Sequence, residues 1–134
     1  MYRKHMTRAE SENLKQMVKM NAHTGICLGD FYPRVDKIEI HYELRHRSFC
    51  DDSHKKRIWT LAPQDEAYFM LDCLNEECTS AGFDLRDIVS SAIQSHQTEK
   101  SGEMRCEGQE APDHPEQSCD GHLKYTIKIV FKQS

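Results

Sequence analysis

The chain has no long apolar run. Nowhere do the roughly 20 consecutive apolar residues of a membrane helix occur, and the opening MYRKHMTRAESENLK lacks the apolar stretch of a secretory signal. The expectation is a cytoplasmic protein that does not enter a membrane. Apolar residues are also few, 37% of 134, with a single tryptophan. A large core is therefore excluded, and a small fold of this kind calls for a staple. No Gly-rich phosphate loop and no nucleophile motif is present. There is no internal repeat and no compositional break, so residues 1–134 read as one domain.

The net charge of −4 conceals segregation. Residues 1–20 carry five Lys/Arg against two Glu, whereas residues 58–98 set Arg86 alone against seven acids. Residues 99–120 add seven acids against two bases, and Lys124, Lys128 and Lys132 follow. A basic pole and an acidic pole result. Basic clusters bind phosphates, but with a pI near 6.0 ordinary solvated faces are the simpler reading.

Thr7 and Glu10 have the spacing of a capping box, followed by an apolar stripe of Leu14, Met17 and Val18. This predicts a helix over 8–22, ended by Gly25 and packed lightly on the domain or on a partner. From Val35 to Arg45 apolar and polar residues alternate: Ile38, Ile40, Tyr42 and Leu44 take one face, and Lys37, Glu39, His41, Glu43 and Arg45 the other. This is a half-buried strand. The polar stretch Arg45 to Arg57 reads as a loop, and Ile58 to Leu61 as a second strand that stops at Pro63. A further helix is expected from Asp84 to His96, with Leu85, Ile88, Val89, Ala92 and Ile93 on one face and Asp84 as its cap. A short strand from Gly102 to Gly108 should carry Cys106. The last strand, Leu123 to Phe131, alternates again. Between these two, Gln109 to Ser118 is a loop by its prolines and acids.

Six cysteines in a reducing compartment point to metal or reactive thiols rather than disulfides. Four of them flank the second helix: Cys73 and Cys78 before it, Cys106 and Cys119 after it. The spacing is C-x4-C, then 27 residues, then C-x12-C. Two knuckles brought together can present four thiolates in a tetrahedron, the geometry of a closed structural Zn²⁺. Leu74 to Glu77 would make the first turn, and Gly82 would let the backbone fold back. The second pair is distended, which is repaired if Gln109 to Ser118 is an excursion with Cys106 and Cys119 at its base. His114 or His122 in place of one thiolate is an alternative, as is a set of buried free thiols. Cys27 and Cys50 each follow a histidine, in His23-x3-Cys27 and His46-x3-Cys50, a pattern for a second His2Cys2 site or for two ordinary thiols. Trp59 and Tyr68 read as core residues. His41, His46 and His54 near Asp51 and Asp52 read as loop residues rather than an acid-base pair.

On these motifs the stretch from Phe69 to Phe131 resembles the zinc-ribbon and treble-clef class. The residues that carry the likeness are the knuckle DCLNEEC, the Gly-Phe-Asp-Leu entry to the helix, and the pair Arg-Cys-Glu-Gly and Ser-Cys-Asp-Gly. It looks most like small uncharacterised bacterial proteins with the same knuckle, helix start and final strand. The resemblance implies a structural metal-binding module and brings no activity with it.

The expected architecture is α+β: a small antiparallel sheet with one packed helix, a zinc-stapled core over 35–131 and an N-terminal helix. The expected function is a non-catalytic zinc-binding module that mediates protein interaction. A nucleic-acid-binding zinc ribbon with weak, salt-sensitive binding is one alternative. Arg3, Lys4, Arg8, Arg45, Arg47, Lys55, Lys56 and Arg57 would supply its patch. A zinc- or thiol-dependent enzyme is the other.

Overall fold

Four antiparallel strands form the main sheet in the computed structural model, which describes residues 7–47, 52–112 and 114–133. They are β1 (Val35–Arg47), β2 (Asp52–Leu61), β5 (Glu99–Arg105) and β8 (His122–Phe131), in the order β2-β1-β8-β5. The long strand alternates as its sequence requires, and Ile38, Ile40 and Leu44 face Ile129, Ile127 and Leu123 across the ladder. All six are buried. The opposite face of the sheet is polar and solvated, the arrangement that an antiparallel sheet permits.

After α1 (Arg8–Ala22) and the short α2 (Leu28–Phe31), helix α3 (Arg86–Gln94) covers the apolar face, with Leu85, Val89 and Ala92 in the same core as Ile38, Ile40, Ile127 and Ile129. Leu85, rather than Asp84, stands at the cap position, and Asp84 instead accepts from the Arg86 amide at 3.0 Å. The helix ends in a Schellman-type turn: the His96 and Gln97 amides bond to Ile93 and Ala92 at 3.0 and 2.8 Å. His96 occupies the left-handed position, φ 54°, and stacks on Phe131 at 4.1 Å. Trp59 packs against the core, and Tyr68 stacks on His23.

Three polar stretches depart from expectation. Of the residues read as a loop over 45–57, those described pair instead in the ladder of β1 and β2, with Arg45 opposite His54 and Arg47 opposite Asp52. The ladder outruns the core there, so both faces are polar and no alternation marks the strand. The strand expected over 102–108 lies at Glu99–Arg105, and Cys106 follows it. Apart from Gly102 and Met104 its residues are polar, as suits a sheet edge. Gln109 to Ser118 is not a plain loop but holds two short paired strands, β6 (Gln109–Ala111) and β7 (His114–Ser118).

Helix α1 (Arg8–Ala22) begins where predicted, and Thr7 Oγ1 accepts from the Glu10 amide at 3.1 Å. Of the two expected placements of its apolar stripe, packing on the domain is not the one taken. Leu14, Met17 and Val18 are 47%, 58% and 46% exposed, while Ser11, Lys15 and Ala22 are buried. Charge sets this orientation. Arg8 meets Glu77 at 2.7 Å and Lys19 meets Asp72 at 2.8 Å, and Lys15 donates to the Glu76 carbonyl at 3.1 Å. Three cations along one side of the helix thus grip the acidic stretch Asp72 to Glu77.

Ser11 Oγ is buried without a hydrogen-bond partner among the described residues. Removing an unsatisfied buried hydroxyl and replacing serine with a better helix former both favour the fold. Ser11→Ala should therefore stabilise the protein by about 0.5–1 kcal/mol, read as a higher urea midpoint at unchanged slope. A lower midpoint would show that the hydroxyl is satisfied in solution.

Candidate metal centre

The first knuckle is built between two short strands, β3 (Met70–Leu71) and β4 (Phe83–Asp84), which pair antiparallel and bring the chain back on itself. Gly82 makes the return at φ +114°, where a Cβ would collide with the Leu71 carbonyl. Cys73 and Cys78 sit in the loop so closed. The second pair lies at the base of the β6–β7 hairpin. The Cys106 amide bonds to the Gly121 carbonyl at 2.9 Å, and the Cys119 amide to the Gly108 carbonyl at 3.0 Å. The distended x12 spacing is thus a hairpin whose two ends are tied together. Thr79 and Gln109 join the knuckle to the hairpin through bonds of 3.2 and 2.9 Å.

The four sulfurs of Cys73, Cys78, Cys106 and Cys119 all lie within 4.8 Å of one another. Cys78 and Cys106 approach to 3.3 Å, and Cys73 and Cys119 to 3.7 Å. A disulfide requires about 2.05 Å, so these are thiols. A tetrahedron of sulfurs about 2.3 Å from a central zinc has edges of about 3.8 Å, a close match to the spacing here. Cys78, Cys106 and Cys119 are buried and Cys73 is half-buried.

Each sulfur also receives a backbone amide from the residue two places on. Ser80 donates to Cys78 and Gly121 to Cys119, both at 3.4 Å. The Asn75 amide donates to Cys73, and the Gly108 amide to Cys106. Amide donors favour the ionised form of the sulfur they meet. Glycine at 108 and 121 has a second cause. A Cβ at 121 would lie 2.7 Å from Cys73 Sγ, and one at 108 would lie 2.7 Å from Cys78 Sγ. The hairpin half of the site is therefore the motif Cys-x-Gly used twice.

The four thiols titrate as a unit, because like charges so close oppose one another. Cys106 is drawn well below the ordinary thiol range by hydrogen bonds from Cys119, Cys73 and Cys78. Cys119, pushed up by Cys106 but drawn down by Cys73 and Cys78, stands at about 7. Cys73 and Cys78 are pushed far up, in each case first by Cys106 and then by Cys119. A divalent cation among the sulfurs would remove this opposition. Softness, number and spacing of the donors suit Zn²⁺ or another thiophilic metal.

The other candidate ligands fall elsewhere. His122 lies on the open face of the sheet, 3.8 Å from Glu103. His114 stands in β7 opposite Ala111, and its side chain is outside the described residues. For the second site, Cys50 is also outside the described residues. His23 Nδ1 meets Glu66 at 2.9 Å, Cys27 Sγ donates to Asp30 at 3.1 Å, and His46 is buried in β1. Among the described residues the four-cysteine cluster is the one group of three or more potential ligands. Of the basic patch, Arg3 and Lys4 are outside the described residues, and Arg8 is paired with Glu77. The register puts Arg45, Arg47 and Lys56 on one face of the sheet and Lys55 and Arg57 on the other.

Compared with protein-family models, curated proteins and solved structures, the chain matches none.

Gly121→Ala should cost about 1–3 kcal/mol, the usual cost of forcing a methyl into a filled site. It should also weaken metal retention, measured as the chelator concentration at half-removal. Cys73→Ser or Cys106→Ser should lower the melting temperature far more than Cys27→Ser, since loss of a metal ligand ranks among the largest single-residue effects. Equal melting of all three variants would separate the cluster from stability.

Proposed function

We infer that the protein is a structural zinc module of zinc-ribbon or treble-clef type whose task is to bind another protein. The observation that carries the metal half is the set of four sulfurs, each with an amide donor. The motifs DCLNEEC, Arg-Cys-Glu-Gly and Ser-Cys-Asp-Gly carry the likeness to zinc ribbons. Four cysteine ligands fill a tetrahedron and leave no position for water or substrate. A closed site of this kind holds a fold together, which is why a non-catalytic reading stands ahead of a zinc- or thiol-dependent enzyme.

Magnitudes support the structural role. Four thiolates in a zinc-finger peptide bind zinc with about 10–16 kcal/mol, whereas a whole domain is stable by about 5–15 kcal/mol. One ion can therefore decide whether this chain folds.

Support for protein binding comes from α1. Leu14, Met17 and Val18 lie outward on adjacent turns, and Met20 beside them is 70% exposed. The helix is held by its polar side, so its apolar side is presented. An apolar helix face of this type fits a complementary apolar groove on a protein partner. Nucleic acid ranks second, because the basic residues are divided between two faces and partly paired with acids.

Protein purified without added metal should contain close to one equivalent of zinc by elemental analysis. Chelation should expose four additional thiols to titration and collapse the melting transition. A metal content below about one-fifth of an equivalent, with melting unchanged by chelator, would end this reading. A cluster loaded with iron would keep the fold and overturn the choice of ion.

A further inference from the structure

The sheet has two edges, β2 and β5. An edge strand exposes a row of unpaired amides and carbonyls, and proteins ordinarily blunt it with charge or cover it. In β2 the centre is Lys55, Lys56 and Arg57. Two such strands paired about their middle would set cations against cations, so this edge is defended against its own copy. The β5 edge is of another kind.

The backbone bonds fix which groups of β5 are free. The Ile129 amide bonds to the Thr98 carbonyl at 2.8 Å, and the Cys106 amide to the Gly121 carbonyl at 2.9 Å. In an antiparallel ladder bonded and unbonded pairs alternate. Positions 98, 100, 102, 104 and 106 therefore bond to β8. Glu99, Ser101, Glu103 and Arg105 turn their amides and carbonyls outward, and all four are exposed. Among the described residues β5 pairs with β8 alone.

A second copy can pair with this edge about a two-fold axis through Gly102. Every outward residue then faces an outward residue. Glu99 lies opposite Arg105 of the second copy and Ser101 opposite Glu103, and the symmetry repeats both. Gly102 lies opposite itself, with no side chain at the closest approach of the two strands. The neighbouring dyads fail. An axis through Ser101 or Glu103 sets glutamate against glutamate, at 99 and 103 in the first case and at 103 in the second. Charge excludes these two registers, as cross-strand pairs do, and overlap excludes the next two: an axis through Met104 also sets Glu103 against Arg105, but it and the axis through Lys100 overlap only three residues of each strand.

We propose that β5 is the site of a symmetric dimer, in which the edges of two copies join into one eight-stranded sheet with Glu99 and Arg105 paired across the axis. The proposal does not rest on the identity of the metal or on α1. Isologous pairing of this kind is closed and does not propagate, because each copy spends its mixed-charge β5 edge and the cationic β2 edge opposes its own copy. Seven residues a side make a smaller contact than a standard interface, so a concentration-dependent dimer is expected rather than a permanent one.

Sedimentation velocity of the full, metal-loaded chain from about 5 to about 500 µM spans the range for such a contact. The wild type should pass from monomer to dimer. Ser101→Pro removes an outward amide and keeps the backbone bonds to β8, and should weaken the dimer at least about tenfold relative to Ser101→Ala, which gives up only the hydroxyl bond to Thr126 at 2.9 Å. Glu99→Arg and Arg105→Glu should each weaken it by a similar factor. The double variant should dimerise again. An equimolar mixture of the two single variants should form heterodimers, because both ion pairs are then restored in the mixed species. A wild type monomeric throughout the range would overturn the proposal. So would a dimer indifferent to Ser101→Pro, or singly reversed variants that stay apart when mixed.

Discussion

The meeting of four cysteine sulfurs is the constraint from which the rest of the structure follows. They come from two places, a loop closed by β3 and β4 and the base of the β6–β7 hairpin, and neither could hold its position alone. A two-residue strand pair such as β3–β4 is marginal in water. It is held because its loop also carries Cys73 and Cys78, and because Phe83 and Leu85 beyond it are buried in the main core. The hairpin in turn grows from the ends of β5 and β8, so the sheet registers Cys106 and Cys119. Sheet, knuckle and hairpin thus position one another, and repulsion among four thiolates is what a cation would have to offset.

How far the fold was legible depended on where burial leaves a pattern. β1 and β8 were readable because one face is buried along their length and the sequence alternates accordingly. Helix α3 was readable from Leu85, Val89 and Ala92, and the extent of α1 from Thr7 and Glu10. Residues 53–57 and 99–105 have no buried face of their own. Their pairing is a property of the neighbouring strand, which a local reading does not contain. The orientation of α1 was hidden for a different reason. Leu14, Met17 and Val18 gave a normal amphipathic signal, but the body they would pack on meets the helix with Asp72, Glu76 and Glu77. Hydropathy has no term for a partner surface that is acidic.

The cluster of four cysteines was legible in grouping and opaque in construction. The sequence shows that the pairs flank a helix, and the x12 gap resolves once it is a hairpin. The residues that finish the site, Gly108 and Gly121 with Asn75 and Ser80, share one offset: each stands two places after a cysteine. That offset puts an amide on each sulfur. At the two hairpin positions it also requires the absence of a Cβ, because the opposing sulfur occupies that space. Cys-x-Gly repeated at 106–108 and 119–121 is therefore a better signature of this half of the site than the spacing between its cysteines.

The geometry also ties the two presented surfaces to the same centre. Helix α1 is held by Asp72, Glu76 and Glu77, which bracket or lie between Cys73 and Cys78. Its grip depends on the knuckle keeping its shape. The β5 edge ends at Arg105, one residue before Cys106, and the last bond of its ladder runs from the Cys106 amide. Loosening the four sulfurs would therefore act at both ends of the molecule, freeing the helix from its acidic cradle and fraying the strand that carries Arg105. In a chain with so small a core, the four-cysteine cluster is the part to which both the cradle of α1 and the end of β5 are tied.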